Sequence, residues 1–146
     1  MEVFEMTRKI KWIYIVIPVL IIVGGIGGYR YVDYHRTLAT YRQMIADITI
    51  DEVDLSKIED GIYTGTHDAI WVGADVTVTV KDHRITNIKL ERHLNGHGEP
   101  AEVIPQKVIE TQSLKVDTIS GVTSSSKVIL KAIEKALLNP PECLHK

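Results

Sequence analysis

The chain has 146 residues, 45% hydrophobic and 25% charged, with 17 Lys+Arg against 19 Asp+Glu for a formal charge of −2. That length predicts one domain, and the lack of a basic surplus argues against nucleic acid as a partner. The single cysteine, Cys143, excludes an intrachain disulfide framework and any multi-cysteine metal or cluster site.

A mean hydropathy of +0.02 is high for a chain with a quarter of its residues charged, so the apolar residues must be concentrated. They lie near the start. Trp12 to Tyr29 reads WIYIVIPVLIIVGGIGGY, without a charge. A bilayer needs about 17–25 apolar residues in a helix. Trp12, Tyr14, Tyr29 and Tyr31 sit near its two ends, where interfacial aromatics belong. Pro18 is tolerated better in a membrane helix than in a soluble one. A cleaved signal peptide would have a shorter apolar core and a small-residue cleavage site, and neither is present. The run therefore predicts an uncleaved, single-pass membrane anchor. Arg8, Lys9 and Lys11 crowd one end, while Arg30, Arg36 and Arg42 are spread beyond the other. The tight cluster favours an inside N-terminus and an extracytoplasmic domain. Gly24 and Gly28 form a GxxxG pair, which serves either close helix approach or ordinary small-residue packing.

Beyond Arg30, Leu38, Tyr41, Ile45 and Ile48 recur at three- and four-residue spacing, as in a juxtamembrane helix or stalk. Asp60-Gly61 is a turn signal, and Ile62 to Thr66 is β-rich. From Ala74 to Val80 the pattern alternates, with Val76, Val78 and Val80 on one side and Asp75, Thr77 and Thr79 on the other. That is a half-buried strand. Lys81-Asp82-His83 predicts a hairpin turn and Arg84 to Arg92 the partner strand. His93 to Pro100, HLNGHGEP, reads as a Gly-rich loop. A short helix is expected over Pro105–Ser113, with Pro in its first turn, then an extended stretch over Leu114–Val122. The strongest helix covers Ser124–Leu138. Ile129, Ala132, Ile133, Ala136 and Leu137 form its apolar face, and Lys127, Lys131, Glu134 and Lys135 are expected to face water. Asn139-Pro140-Pro141 stops it.

These signals predict an α+β fold: an N-terminal transmembrane helix followed by a small antiparallel sheet packed with two helices. The expected boundaries are a cytoplasmic tail 1–11, a span 12–29, a stalk 30–58, a domain 59–139 and a C-terminal tail 140–146. From Gln43 onward there are 11 Lys+Arg and 16 Asp+Glu, so an acidic domain is balanced by a basic start.

Chemistry is concentrated at the mouth of the last helix, Asp117-Thr118-Ile119-Ser120-Gly121-Val122-Thr123-Ser124-Ser125-Ser126. The first amides of a helix lack intrahelical acceptors, and the positive end of the dipole lies there. Gly121 lets backbone approach a ligand, the hydroxyls can donate, and Lys127 is expected to add charge. Such a place binds phosphate. The same residues also read as an ordinary N-cap. The segment is not a P-loop or a nucleophile elbow. His93, Asn95, His97 and Glu99 invite a metal reading, but their glycine-rich context lacks closed ligand geometry. Nor do His67, His93 and His97 make a recognisable hydrolase triad. His67, His83 and His145 read as surface residues and Cys143 as an inert thiol.

Landmarks from Asp60 to Leu138 occur in an order that resembles the FMN-binding domain family. Asp60-Gly61-Ile62-Tyr63-Thr64-Gly65 resembles its opening D-G-x-Y-x-G. Ala74 to Leu90 resembles its paired strands, Thr111-Gln112-Ser113-Leu114 its A-Q-S-L-type helix end, and Asp117 to Thr123 its flavinylation motif D-x-x-[ST]-G-A-T. Val122 stands where alanine is usual. The family includes flavinylated subunits of Rnf-type and sodium-translocating NADH:quinone reductase complexes, and the single span makes this chain similar to its small membrane-anchored members. The resemblance implies FMN joined through a phosphoester to Thr123 by a magnesium-dependent flavin transferase. Asp117 would be the motif's leading acid, and Ser120, Gly121 and Val122 would shape the turn. The free N–H groups of Ser124, Ser125 and Ser126 would face the phosphate, and the Gly96 and Gly98 loop would line the ring. Tyr63 and Trp71 are aromatic candidates for stacking on the ring or for the core. The implied role is electron transfer with redox proteins or a quinone, rather than stand-alone catalysis. The alternative is a non-redox flavin- or phosphate-ligand-binding or sensor module.

Overall fold

The computed structural model describes residues 2–94 and 96–139, with side chains from Tyr14 onward. Asn95, Cys143, His145 and the Pro140-Pro141 stop lie outside the described residues. The chain divides into two compact units, residues 1–40 and 41–146.

The first unit is helix. It belongs to α1 (Glu2–Asp47), which continues through Pro18. From Tyr14 onward it contains a window with mean hydropathy 1.8, none of it buried, and is long and apolar enough to cross a membrane. Tyr14, Leu20, Ile21 and Ile26 are all more than half exposed. A soluble helix hides such side chains along one face; here they point outward all round.

The second unit is a three-stranded antiparallel meander in the order β1-β2-β3, with helices on one face. The strands are β1 (Gly61–Ala69), β2 (Val72–Lys81) and β3 (Arg84–Leu94). All run past the expected ends, because hairpin pairing continues to Ala69↔Val72 and Lys81↔Arg84. The predicted alternation holds: Val76, Val78 and Val80 are at most 2% exposed. In β3 the pattern looks irregular because two residues are extra. Pairing steps from Thr79↔Asn87 to Val80↔Ile85 and from Asp75↔Arg92 to Val76↔Leu90. The resulting bulges let Ile85 and Ile88, three apart, face the same core.

The β2–β3 turn places Asp82 and His83 at φ 52° and 56°, as a two-residue hairpin of the I′ kind requires. The β1–β2 turn, Ile70-Trp71, carries no glycine or asparagine, so nothing local marks it as a turn. Ile70 sits at φ 46°, an outlier for a β-branched residue.

Helix α2 (Ile104–Thr111) packs on β3, and α3 (Thr123–Leu138) on β1 and β2. A short 3-10 helix, Glu99–Val103, leads into α2. Thus the expected loop over His93 to Pro100 narrows, its start absorbed by β3 and its end by this turn. Gln112, in the left-handed region at φ 52°, ends α2. Its amide accepts from the Ile85 N–H at 2.8 Å and donates to the Ile85 carbonyl at 2.9 Å, standing in for a fourth strand at the sheet edge.

The apolar face of α3 is as predicted: Ile129, Ala132, Ile133 and Ala136 are fully buried. Its polar face is a correction. Glu134 is 2% exposed and pairs with Lys131 at 2.7 Å. The Lys127 ammonium donates to the carbonyls of Ile45 (3.0 Å) and Ile48 (3.3 Å), and that of Lys131 to Thr49 (2.9 Å). The last carbonyls of a helix lack intrahelical donors, and α1 has no basic residue in its last turn. Lys127 supplies one for Ile45 in that last turn, and the two lysines also bind the carbonyls of Ile48 and Thr49 just past the helix. Tyr41, Ile45 and Ile48 accordingly pack against the core of this unit.

Candidate functional site

The site is built at the amino end of α3. The Val122 N–H donates to the Ile119 carbonyl at 3.1 Å, closing a turn whose third residue is Gly121 at φ 84°. That φ is the one a type II turn needs at this position, and glycine adopts it without strain. A Cβ at Gly121 would meet no atom within 4 Å, so its requirement is conformational. Ser126, wholly buried, holds the loop from inside. Its hydroxyl accepts from the Ile119 N–H and donates to the Val122 carbonyl, both at 3.1 Å.

The helix begins at Thr123, with Val122 as N-cap residue and no side-chain cap. The Ser126 N–H donates to the Val122 carbonyl at 3.0 Å. The amides of Thr123, Ser124 and Ser125 precede that first helical bond and have no intrahelical acceptor. The ordinary capping arrangement is therefore absent. The three open donors belong to Thr123, Ser124 and Ser125, one residue earlier than the Ser124–Ser126 set expected.

These amides adjoin a pocket of about 340 Å³ lined by Tyr41, Val72, His97, Gly98 and Gly121 to Ser125, within the ~300–1,000 Å³ usual for small-molecule sites. The lining joins the helix terminus, Gly121 to Ser125, with Tyr41, Val72, His97 and Gly98. Among the described lining residues there is no Lys or Arg. Lys127, expected to supply charge here, is committed to the end of α1.

Of the sequence-predicted site residues, Gly98, Gly121, Val122, Thr123, Ser124 and Ser125 come together around this pocket. Asp117 and Ser120 are exposed on the preceding loop, and Gly96 on the loop before Gly98; none of the three lines it. Tyr63 is a correction. It is 3% exposed in the core, its hydroxyl donating to the Glu59 carbonyl at 2.7 Å, and it does not reach the pocket. Its alternation with inward-facing Gly65 puts its ring under the sheet. Burial, then the charges of Glu59 and Asp60, push its phenol pKa up. Trp71 is 40% exposed and its ring lies 4.9 Å from that of Tyr41. The sequence reading missed Tyr41 and Val72. Both look like packing residues in their own patterns, and only the folded chain brings them to Thr123. His93 and His97 separate: His93 is paired with Glu102 at 3.0 Å, facing a different cavity.

A helix terminus with open amides beside a pocket of about 340 Å³, next to a one-faced antiparallel sheet, is an arrangement suited to a phosphorylated ligand. Residues 65–138 match the FMN-binding domain family, and the chain belongs to that family. Domains of this kind are typically flavin carriers rather than enzymes. The chain is 33% identical over 84 residues to an NADH:acrylate oxidoreductase of Vibrio harveyi, covering 56% of this chain and 8% of that enzyme. It also resembles the crystal structure of the CPE2226 protein of Clostridium perfringens, with TM-score 0.46 and 28% identity, over 56% of this chain and 88% of that one.

Proposed function

We propose that this protein is a membrane-anchored flavoprotein that carries FMN as a phosphoester on Thr123 and transfers electrons outside the cytoplasm. The carrying observation is the uncapped amino end of α3, with the exposed Thr123 hydroxyl beside three open amides. Charge supports a covalent link. A phosphomonoester carries about −1.5 to −2 at neutral pH, whereas a phosphodiester carries a single charge. Three amides and a helix dipole suit one negative charge, and no Lys or Arg among the described lining residues is available for a second.

In the proposed attachment a flavin transferase uses FAD. The Thr123 oxygen bonds to the FMN phosphorus, the pyrophosphate bond breaks, AMP leaves, and the hydroxyl proton passes to a base of the transferase. Exposed Asp117, ahead of the turn, is accessible for recognition by that enzyme. Val122 is partly buried against the core and also lines the pocket beside Thr123. When bound, the flavin supplies the redox chemistry; the protein contributes tethering and electrostatics. The Vibrio harveyi relative is by name an oxidoreductase, which supports a redox role; redox proteins or a quinone are the proposed exchange partners.

Co-expression with a flavin transferase, followed by denaturing electrophoresis, tests the assignment. The wild-type band should fluoresce under ultraviolet light and Thr123→Ala should be dark. An unlabelled wild-type band beside a labelled control substrate would overturn the covalent link.

A further inference from the structure

We infer that Tyr41, backed by Trp71, is the aromatic wall on which the isoalloxazine ring rests, so that the last turns of the long helix complete a site whose remaining lining comes from the domain. This rests on the FMN reading above. Tyr41 lies outside residues 65–138, the segment matched to the family, yet lines the same pocket as Thr123. The pocket's lining is of two kinds. Amides and hydroxyls from Gly121 to Ser125 suit a phosphate, while Tyr41 contributes an aromatic side chain and Val72 an aliphatic one. A ligand with an anionic end and a planar aromatic end matches both.

The ring of Tyr41 is held in place from two sides. Trp71 packs on it at 4.9 Å and 47°. The end of that helix and the residues just after it are held by the Lys127 and Lys131 ammonium groups on the carbonyls of Ile45, Ile48 and Thr49. Lys127 stands one turn after Thr123 on α3. The helix that carries the acceptor hydroxyl therefore also positions the aromatic wall. The tip that presents Trp71 is strained: Ile70 at φ 46° is in the region β-branched residues avoid. Such strain persists where surrounding structure over-determines it, commonly at ligand sites.

Photophysics gives a readout independent of turnover. An excited isoalloxazine in contact with a phenol or indole takes one electron from that ring and returns it, with no net chemical change and loss of emission. A phenylalanine ring keeps the packing but does not donate. The full-length chain is flavinylated, and its flavin emission per bound flavin and emission lifetime are compared with those of Tyr41→Phe, Trp71→Phe, the double variant and Tyr29→Phe. The wild type should be dim. Tyr41→Phe should raise emission severalfold, the double variant further, and Tyr29→Phe should leave it unchanged. A flavinylated wild type as bright as free FMN, or emission unmoved by Tyr41→Phe and by the double variant, would overturn this inference alone. A chain that accepts no flavin at all would overturn the FMN reading, and this one with it, already at the gel.

Discussion

At the scale of single residues, Gly65 and Gly121 show two different reasons for glycine. Gly121 supplies a backbone angle. Gly65 supplies space, since a Cβ there would run into the Ala132 carbonyl and come within 2.8 Å of the Ala136 Cβ. The helix partners at that crossing are alanines, so β1 and α3 meet nearly backbone to backbone. Gly65→Ala should destabilise the domain by about 1–3 kcal/mol, the usual cost of overpacking a filled core, seen as a lower denaturation midpoint. A wild-type midpoint would mean that α3 moves aside without cost. Both glycines are visible as letters in the D-G-x-Y-x-G and S-G-x-T stretches, but the reason for each depends on what lies opposite. Ser126 makes the same point. As one of three serines it looks like a ligand residue, whereas its burial makes it the loop's internal clamp.

At the scale of elements, the seam between β1 and α3 holds a titratable contact. His67 Nδ1 lies 3.1 Å from the Lys135 ammonium. Read as a surface residue from sequence, it is half-buried here. Burial first, then the charges of Lys135 and Lys131, hold its pKa below the ordinary histidine value of 6.5. The folded domain then binds this proton less readily than the unfolded chain. The contact's stabilisation is complete above the unfolded pKa and is lost as pH falls from about 6.5 through the folded value. The denaturation midpoint should decline from pH 7 to pH 5, and His67→Gln should flatten that decline. An identical slope in the variant would assign the decline elsewhere. Asp75, whose carboxyl the Arg92 guanidinium holds below its usual range, acts in a separate, more acidic window. The elements themselves were largely legible: strand alternation, the two apolar helix faces and the Asp82-His83 turn all carry local signals. The Ile70-Trp71 turn was not, because pairing of the flanking strands imposes it against local preference.

At the scale of the whole molecule, one chain joins a helix suited to lipid with a domain suited to water. The helix exposes Leu20, Ile21 and Ile26, while the sheet turns Thr77, Thr79 and Lys89 outward. The proposed topology predicts that protease added to sealed, right-side-out membrane vesicles removes the domain and leaves the N-terminal residues protected. Protection of the domain until detergent is added would reverse the orientation. The three clustered basic residues before the span are the physical ground for the expected result. An extracytoplasmic carrier also has a reason for a covalent cofactor, since a dissociated flavin there is diluted away.

The sequence by itself determined the elements, the apolar span, the one-faced sheet and the motif around Thr123. Those follow from periodicity and local backbone chemistry, which neighbouring residues carry between them. Tertiary structure decided what chain neighbours cannot encode. It drew Lys127 and Lys131 onto carbonyls some eighty residues earlier, placed Tyr63 under the sheet, and brought Tyr41 to the pocket. Each outcome is a contact between segments distant along the chain, fixed by burial and by the need to satisfy helix ends.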